Sequence, residues 1–251
     1  MSLKNCDKGR DLSIIIPVAG QGKRMRANGA KALLTVGSES LIERQLRQWK
    51  NLAPEAEIIF VVGFEARKVC KRLPNQIWVL NKDFENTNVA YSIGLAMQKS
   101  VRRRVLVSYG DLIFEEKGAA PLLACQKTSV FVDDAPRRTY EVGVAYHDNE
   151  VTNFSFGLPR KWSQLVMLCE REKEMFAHYS LDCMNHKFFS FEIFNKIISR
   201  GGTFSMLPYT GYFFEIDSTR DLWEARVALD SISESEKLKK DKHANYVRVG
   251  R

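Results

Sequence analysis

The stretch Ile14-Ile15-Ile16-Pro17-Val18-Ala19-Gly20-Gln21-Gly22-Lys23-Arg24-Met25 decides how this chain folds. Its apolar, β-branched start reads as a strand buried on both faces, and the run ends at Ala19. Gly20 and Gly22 then bracket Gln21, and two cations follow. Glycine reaches positive φ and lets backbone N–H groups approach a ligand closely. A strand, a glycine turn and flanking cations in that order suit a polyphosphate. Two better-known phosphate loops are excluded. A Walker A loop needs Ser or Thr after its Gly-Lys, and here Arg24 follows Lys23. A dinucleotide fingerprint needs a third glycine where this chain has Met25.

Outward from that loop, strand and helix patterns alternate. Ser40 to Leu52 reads as a helix with apolar positions at Leu41, Ile42, Leu46 and Trp49. Ile58 to Val62 reads as a strand, Glu65 to Leu73 as a short helix and Gln76 to Leu80 as another strand. Asn88 to Ser100 is helical in pattern, and Val105 to Ser108 is a further strand. This alternation predicts an α/β fold with a doubly wound, Rossmann-like sheet, mixed but mostly parallel, and helices on both faces. From Thr128 to Ser155 the pattern turns strand-rich, predicting a small antiparallel extension. Phe188 to Ser199 returns to helix, Tyr212 to Ile216 to strand, and Arg220 to Asp230 to a closing helix. The Lys-rich tail from Ser231 reads as a solvated end.

At 251 residues, 45% hydrophobic and 27% charged, the chain suits one globular domain, with 128–210 as its second, acceptor-side or lid subregion. The net charge of +8 implies an anionic partner. Cys6, Cys70, Cys125, Cys169 and Cys183 are scattered with no Cys-x-x-Cys pair, which supports neither a zinc site nor a disulfide framework. Reduced thiols point to a cytoplasmic protein. No apolar run nears the roughly 20 residues of a membrane span, and no signal-peptide core stands at the N-terminus.

Two acidic residues end apolar strands. Val105-Leu106-Val107-Ser108-Tyr109-Gly110 leads to Asp111, and Gly211-Tyr212-Phe213-Phe214-Glu215-Ile216 leads to Asp217. In an open α/β sheet, ligands bind beyond the carboxyl ends of strands, so both carboxylates are placed to reach one crevice. Magnesium asks for one or two carboxylates, with substrate phosphates and water completing its octahedron. The alternative for Asp217 is a cap for the helix that begins near Arg220.

The glycine loop resembles that of nucleotidyltransferases of the sugar-1-phosphate pyrophosphorylase kind: Gly-x-Gly-x-Arg-Met, then a lysine several residues on. That lysine is Lys31, preceded by Ala30 where the family usually has proline. Glu215-Ile216-Asp217-Ser218 with the following Asp221-Leu222 is similar to the C-terminal motif of cytidylyltransferases acting on phosphocholine and 2-aminoethylphosphonate. The segment from Asn81 to Ile93 is similar to that branch's Asn-x-x-Tyr-x-x-x-Asn-Asn-x-x-Ser-Leu stretch. The resemblance implies a GT-A-like nucleotidyltransferase fold. It further implies Lys31, Arg24 and Asp111 as catalytic residues, and Mg2+ held by Asp111 and Asp217. Nucleotide binding falls to Ala19, Gly20, Gln21, Gly22, Lys23, Asn88, Ser92, Tyr109 and Gly110. Asn88 and Ser92 stand where a helix start can read a pyrimidine or a ribose.

The expected reaction condenses a nucleoside triphosphate, CTP favoured, with a small phosphorylated or phosphonate acceptor, releasing pyrophosphate. A quaternary-amine acceptor calls for aromatics and carboxylates, for which the second half offers Tyr140, Trp162, Phe176, Tyr179, Phe188, Phe189, Tyr209 and Tyr212, with Asp133, Asp134 and Glu141. Most of these rings read as core. Phe156 to Trp162 reads as a turn, either a lid or plain surface. Alternatives are a sugar-1-phosphate acceptor and a catalytically silent nucleotide sensor. Arg102-Arg103-Arg104 carries no nucleic-acid recognition motif, so no nucleic-acid partner is expected, and a homodimer stays open.

Overall fold

The computed structural model describes residues 9–22, 29–133, 141–232 and 234. Its first strand, β1 (Leu12–Pro17), is buried along its whole length. Parallel partners flank it on both sides: β4 (Glu57–Val62) and β6 (Arg104–Ser108), with β5 (Ile77–Leu80) beyond β4. Alternate side chains of these strands enter two separate cores. Ile14, Ile16, Phe60 and Leu106 face one; Ile15, Ile59, Val61, Val105 and Val107 face the other. Helices α1 (Leu41–Leu52), α2 (Ala66–Arg72) and α4 (Glu116–Leu123) cover the first core. Helices α3 (Val89–Met97), α5 (Glu170–Leu181) and α6 (Ser190–Ile198) cover the second. Continuous apolar strands are what burial on both faces requires.

The sheet is mixed, as expected, but it is not mostly parallel. Among the described residues it has nine strands in the order β5-β4-β1-β6-β11-β8-β12-β10-β9. Strand β11 (Arg160–Cys169) runs antiparallel to β6. Beyond it lie β8 (Ser129–Asp133), β12 (Ser205–Pro208), β10 (Glu150–Phe156) and β9 (Val142–His147), with every pairing but β8–β12 antiparallel. Strand β9 also pairs back onto β11, so these five strands close into a ring. The expected small extension is therefore more than half of the sheet. The expected Phe156–Trp162 turn narrows to residues 157–159, between two strands that each pair with β9 rather than with each other. Phe156 ends β10, Gly157 turns at φ 74, and Trp162 lies inside β11 at 3% exposure.

Two small ribbons complete the fold. Strands β2 (Thr35–Val36) and β3 (Glu39–Ser40) form one, and Glu43 reaches back to the Ser40 N–H to start α1. Strands β7 (Leu112–Phe114) and β13 (Phe213–Glu215) form the other, antiparallel with Glu215 opposite Leu112. A final helix over 219–232 packs Leu222 and Ala225 against Ile113 and Ile216. No helix among the described residues is long and apolar enough to cross a membrane.

Candidate active site

The β7–β13 ribbon is what brings the distant carboxylates together. Its register, continued by the bond from Ile216 N–H to the Asp111 carbonyl (3.0 Å), sets the residues after β13 beside the turn after β6. Lys31 bridges them. Its Nζ lies 2.7 Å from Asp111 Oδ2 and 2.9 Å from Asp217 Oδ1. Burial works against the Lys31 ammonium, yet the two carboxylates outweigh it and raise its pKa above the ordinary lysine value.

Asp217 is not the helix cap. The Asp221 N–H donates to Ser218 Oγ at 3.2 Å, and Asp221 Oδ2 accepts from Ser218 Oγ–H and from the Asp217 N–H. Ser218 and Asp221 thus satisfy the helix start reciprocally and release the Asp217 side chain toward Lys31.

Each residue expected from the sequence has a definite place, apart from Lys23 and Arg24, which lie outside the described residues, as do Asp134 and Tyr140. Ala19, Gly20, Gly22, Lys31, Asn88, Ser92, Tyr109, Gly110, Asp111 and Asp217 all line one cleft of about 890 Å³. Gln21 is outside that lining and donates to Glu85 Oε1 at 3.2 Å. Gly22 has φ 62, and a Cβ there would stand 3.0 Å from Lys31 Cβ, so the turn packs directly on the lysine stem. Gly110 is pressed on the end of β1, where a Cβ would come within 2.7 Å of the Pro17 carbonyl oxygen. Tyr109 donates to Ser190 Oγ at 2.6 Å, and burial pushes its phenol well above the ordinary tyrosine range.

The polar groups offered for base reading are partly engaged within the protein. Ser92 Oγ accepts from Asn81 Nδ2 at 3.0 Å, and Asn88 caps α3 by accepting from the Val89 N–H at 2.8 Å. Asn88 also donates to the Lys187 carbonyl at 3.2 Å. Of the expected aromatics, Trp162, Phe176 and Tyr209 are core. Trp162 still forms part of the cleft wall, as does Phe189, which is 47% exposed.

Sequence reasoning missed Glu215 and Lys161. Oxygens of Asp111, Glu215 and Asp217 all lie within 4.8 Å of one another. Burial, with Asp111 adding to it, pushes the Glu215 carboxyl up to about 7, against the opposing pull of Lys161. Lys161 Nζ sits 2.6 Å from Glu141 Oε1 and 3.4 Å from Glu215 Oε2. Burial disfavours that ammonium too, and the two glutamates more than offset it. The signal for Glu215 was present: Glu-x-Asp at the end of a strand places both carboxylates on one face.

This donor set fits a hard divalent cation. It offers carboxylate oxygens from three residues, and Asp111 Oδ1 is buried with no hydrogen-bond partner. A buried carboxylate oxygen without a partner, on a residue grouped with two further carboxylates, is costly unless a cation completes it.

An open α/β sheet whose glycine turn and strand-end carboxylates share one cleft defines a nucleotide-handling domain. A family model described as the MobA-like NTP transferase domain matches residues 14–174, and the chain belongs to that family of nucleotidyltransferases. It is 34% identical over 104 residues to the bifunctional protein GlmU of Acaryochloris marina (strain MBIC 11017), a match covering 40% of this chain and 23% of that protein. The chain thus spans about a quarter of the length of that curated relative. Among solved structures it resembles the CTP:phosphocholine cytidylyltransferase of Streptococcus pneumoniae, with TM-score 0.74 and 21% identity over 87% of this chain and 99% of that one. It also resembles a Bacillus anthracis protein described as a glucose-1-phosphate thymidylyltransferase, with TM-score 0.75 and 15% identity over 86% and 94% of the two chains. At these identities the structural likenesses speak for the fold.

Proposed function

We propose that this chain is a Mg2+-dependent nucleotidyltransferase that joins a nucleoside triphosphate, CTP favoured, to a small phosphorylated or phosphonate acceptor. A phosphate or phosphonate oxygen of the acceptor attacks the α-phosphorus, the bond from that phosphorus to the bridging oxygen breaks, and pyrophosphate leaves. The observation that carries this reading is the Lys31 ammonium clamped between Asp111 and Asp217 beside the Gly20–Gly22 turn. Such chemistry needs positioning and charge neutralisation rather than a covalent nucleophile.

Asp111 and Asp217 would hold the cation, with Glu215 in reach. When bound, it would supply charge neutralisation at the phosphate oxygens. Lys31 neutralises charge growing on the α-phosphoryl group, and the loop backbone at Ala19, Gly20 and Gly22 borders the polyphosphate, with Lys23 and Arg24 following in sequence. Asn88, Ser92, Tyr109 and Gly110 border the nucleotide side of the cleft.

The acceptor side, drawn from residues 128–210, supports a cationic head group. Phe156, Phe189 and Phe191 gather at the cleft wall, with Phe156–Phe191 centroids at 5.3 Å and Phe189–Phe191 stacked at 5.7 Å. Half-exposed phenylalanines in a cleft invite an onium group, which sugar hydroxyls would not match as well. Among the described lining residues, carboxylates (Asp111, Glu141, Glu215, Asp217, Asp221, Glu224) outnumber ammoniums (Lys31, Lys161), which favours cationic company for the phosphates. The fold likeness to the thymidylyltransferase-described protein keeps a sugar-1-phosphate acceptor as the second reading.

The test is a matrix of four nucleoside triphosphates against phosphocholine, aminoethylphosphonate and several sugar 1-phosphates, read as pyrophosphate release with and without MgCl2. The expected result is metal-dependent release with CTP and an amino-alcohol phosphate or phosphonate. Release with a sugar 1-phosphate alone moves the acceptor to the second reading. Tight nucleotide binding with no release in any well refutes the enzyme.

A further inference from the structure

A fully buried side-chain amide lies outside the cleft lining and has no part in the chemistry described above. Gln45 is on the inner face of α1 at 0% exposure. Its Nε2 donates to two carbonyls, that of Tyr109 at 2.6 Å and that of Leu112 at 3.2 Å. Its Oε1 accepts from Ser108 Oγ–H at 2.8 Å. Those carbonyls stand immediately before Gly110 and immediately after Asp111, so one amide grips both ends of the turn that carries the metal-facing carboxylate.

The amide has only one workable orientation. Rotated end for end, its oxygen would face two carbonyl oxygens, and both donations would be lost in a dry environment. Ser108, itself fully buried, supplies the donor that the amide oxygen then needs. From the opposite side, Gly110 rests against the Pro17 carbonyl at the end of β1. The turn is thereby held between α1 and β1. A buried amide is a poor choice for helix packing alone, because an apolar residue of the same volume fills space without needing three partners.

We infer that Gln45 is a positioning residue: its side-chain amide clamps the Tyr109–Leu112 turn and so sets where the Asp111 carboxylate stands relative to Asp217 and Lys31. The inference rests on the reading of Asp111 as a cation ligand. It assigns to Gln45 the orienting role that groups hydrogen-bonded behind metal ligands commonly have, whose loss costs about 10–100-fold in metal affinity or activity.

The test compares Gln45→Met, which keeps volume and removes all three hydrogen bonds, with Gln48→Met. Gln48 lies on the same buried face and donates to the Phe114 carbonyl at 2.7 Å, beyond the turn. Mn2+ binding to the metal-free full chain is read from the free-ion EPR signal, alongside circular dichroism, thermal melting and pyrophosphate release. Q45M should keep a native spectrum, weaken Mn2+ binding by about tenfold or more and lower kcat within the 10–100-fold range. Q48M should lose melting temperature with Mn2+ affinity within about twofold of wild type. If Q45M does not fold, Ser108→Ala replaces it: it removes the bond that satisfies the amide oxygen from behind the turn, loosening the clamp, and should weaken Mn2+ binding in the same direction by a few-fold. Wild-type-like Mn2+ binding in the folded Gln45 or Ser108 variant overturns the assignment. So does an equal loss in Q48M, which would reduce Gln45 to general packing. A wild-type chain that binds no Mn2+ overturns the metal reading itself, and the assignment with it.

Discussion

Replacing Lys31 with Met tests the centre of the site most directly. The ammonium makes ion pairs of 2.7 and 2.9 Å with Asp111 and Asp217, and all three side chains retain some solvent contact, 15% for the lysine and 21% for each carboxylate. Breaking a fully buried pair costs about 3–5 kcal/mol, and residual solvation lowers that here to about 2–3 kcal/mol at neutral pH. For a chain of this length the loss corresponds to a fall of about 4–12 °C in Tm. Without the ammonium, Asp111, Glu215 and Asp217 repel one another across less than 5 Å. Protonating one of them relieves the strain, and Glu215, already pushed up to about 7, takes the proton first. The folded variant therefore binds protons more tightly than its unfolded chain, and its stability deficit shrinks as pH falls from about 8 to about 5. In the wild type the raised Lys31 pKa acts with the same sign in a different window: it contributes stability that is complete at neutral pH and lost only as pH rises through that raised value. Mg2+ should restore part of the variant's Tm by supplying the missing positive charge. The assay is thermal melting of both proteins across that pH range, with and without MgCl2. A deficit independent of both pH and Mg2+ would refute the electrostatic account. Pyrophosphate release by the variant should fall about 10²–10³-fold, the usual consequence of losing one preorganised cation.

Other outcomes follow from the same geometry. Asp217→Asn should abolish pyrophosphate release while leaving the final helix in place by circular dichroism, because Ser218 and Asp221 cap that helix without the Asp217 side chain. Gly22→Ala forces a side chain into φ 62 against Lys31 Cβ, costing about 1–2 kcal/mol of strain and about tenfold in kcat/KM for the nucleotide, measurable by steady-state kinetics. Trp162→Ala, in a ring cluster with Tyr109, Phe154 and Phe194, should destabilise by about 3–5 kcal/mol in denaturant titration.

The parallel half was legible because its strands are buried on both faces and read as unbroken apolar runs, as in Ile14 to Val18 or Val105 to Val107. The meeting of Asp111 and Asp217 was legible from the general tendency of strand ends in such sheets to share a crevice. Strand β11 was not. Its first half, Arg160-Lys161-Trp162-Ser163-Gln164, carries cations and an amide, and Gln164 sits at φ 57 where the register shifts between Trp162 and Val166. That bulge breaks the alternation by which a strand is recognised. Helix α5 was hidden for a related reason: it buries Glu172 with Phe176 and Ser180, so its inner face is not uniformly apolar. Lys161 and Glu141 meet only through the pairing of β9 with β11, a long-range register that no local pattern encodes.

The ring formed by β11, β8, β12, β10 and β9 has a consequence for how this architecture can diversify. It joins the parallel half through β6 and β11, whose pairing runs from Ser108–Leu165 to Arg104–Cys169. The ring reaches the carboxylates through Lys161 on β11, 3.4 Å from Glu215, whereas the Gly20–Gly22 turn and Asp111 belong to the parallel half across that seam. Changes on ring strands away from Lys161 therefore leave the glycine turn and Asp111 in place, much as a tool keeps its handle when the bit is exchanged.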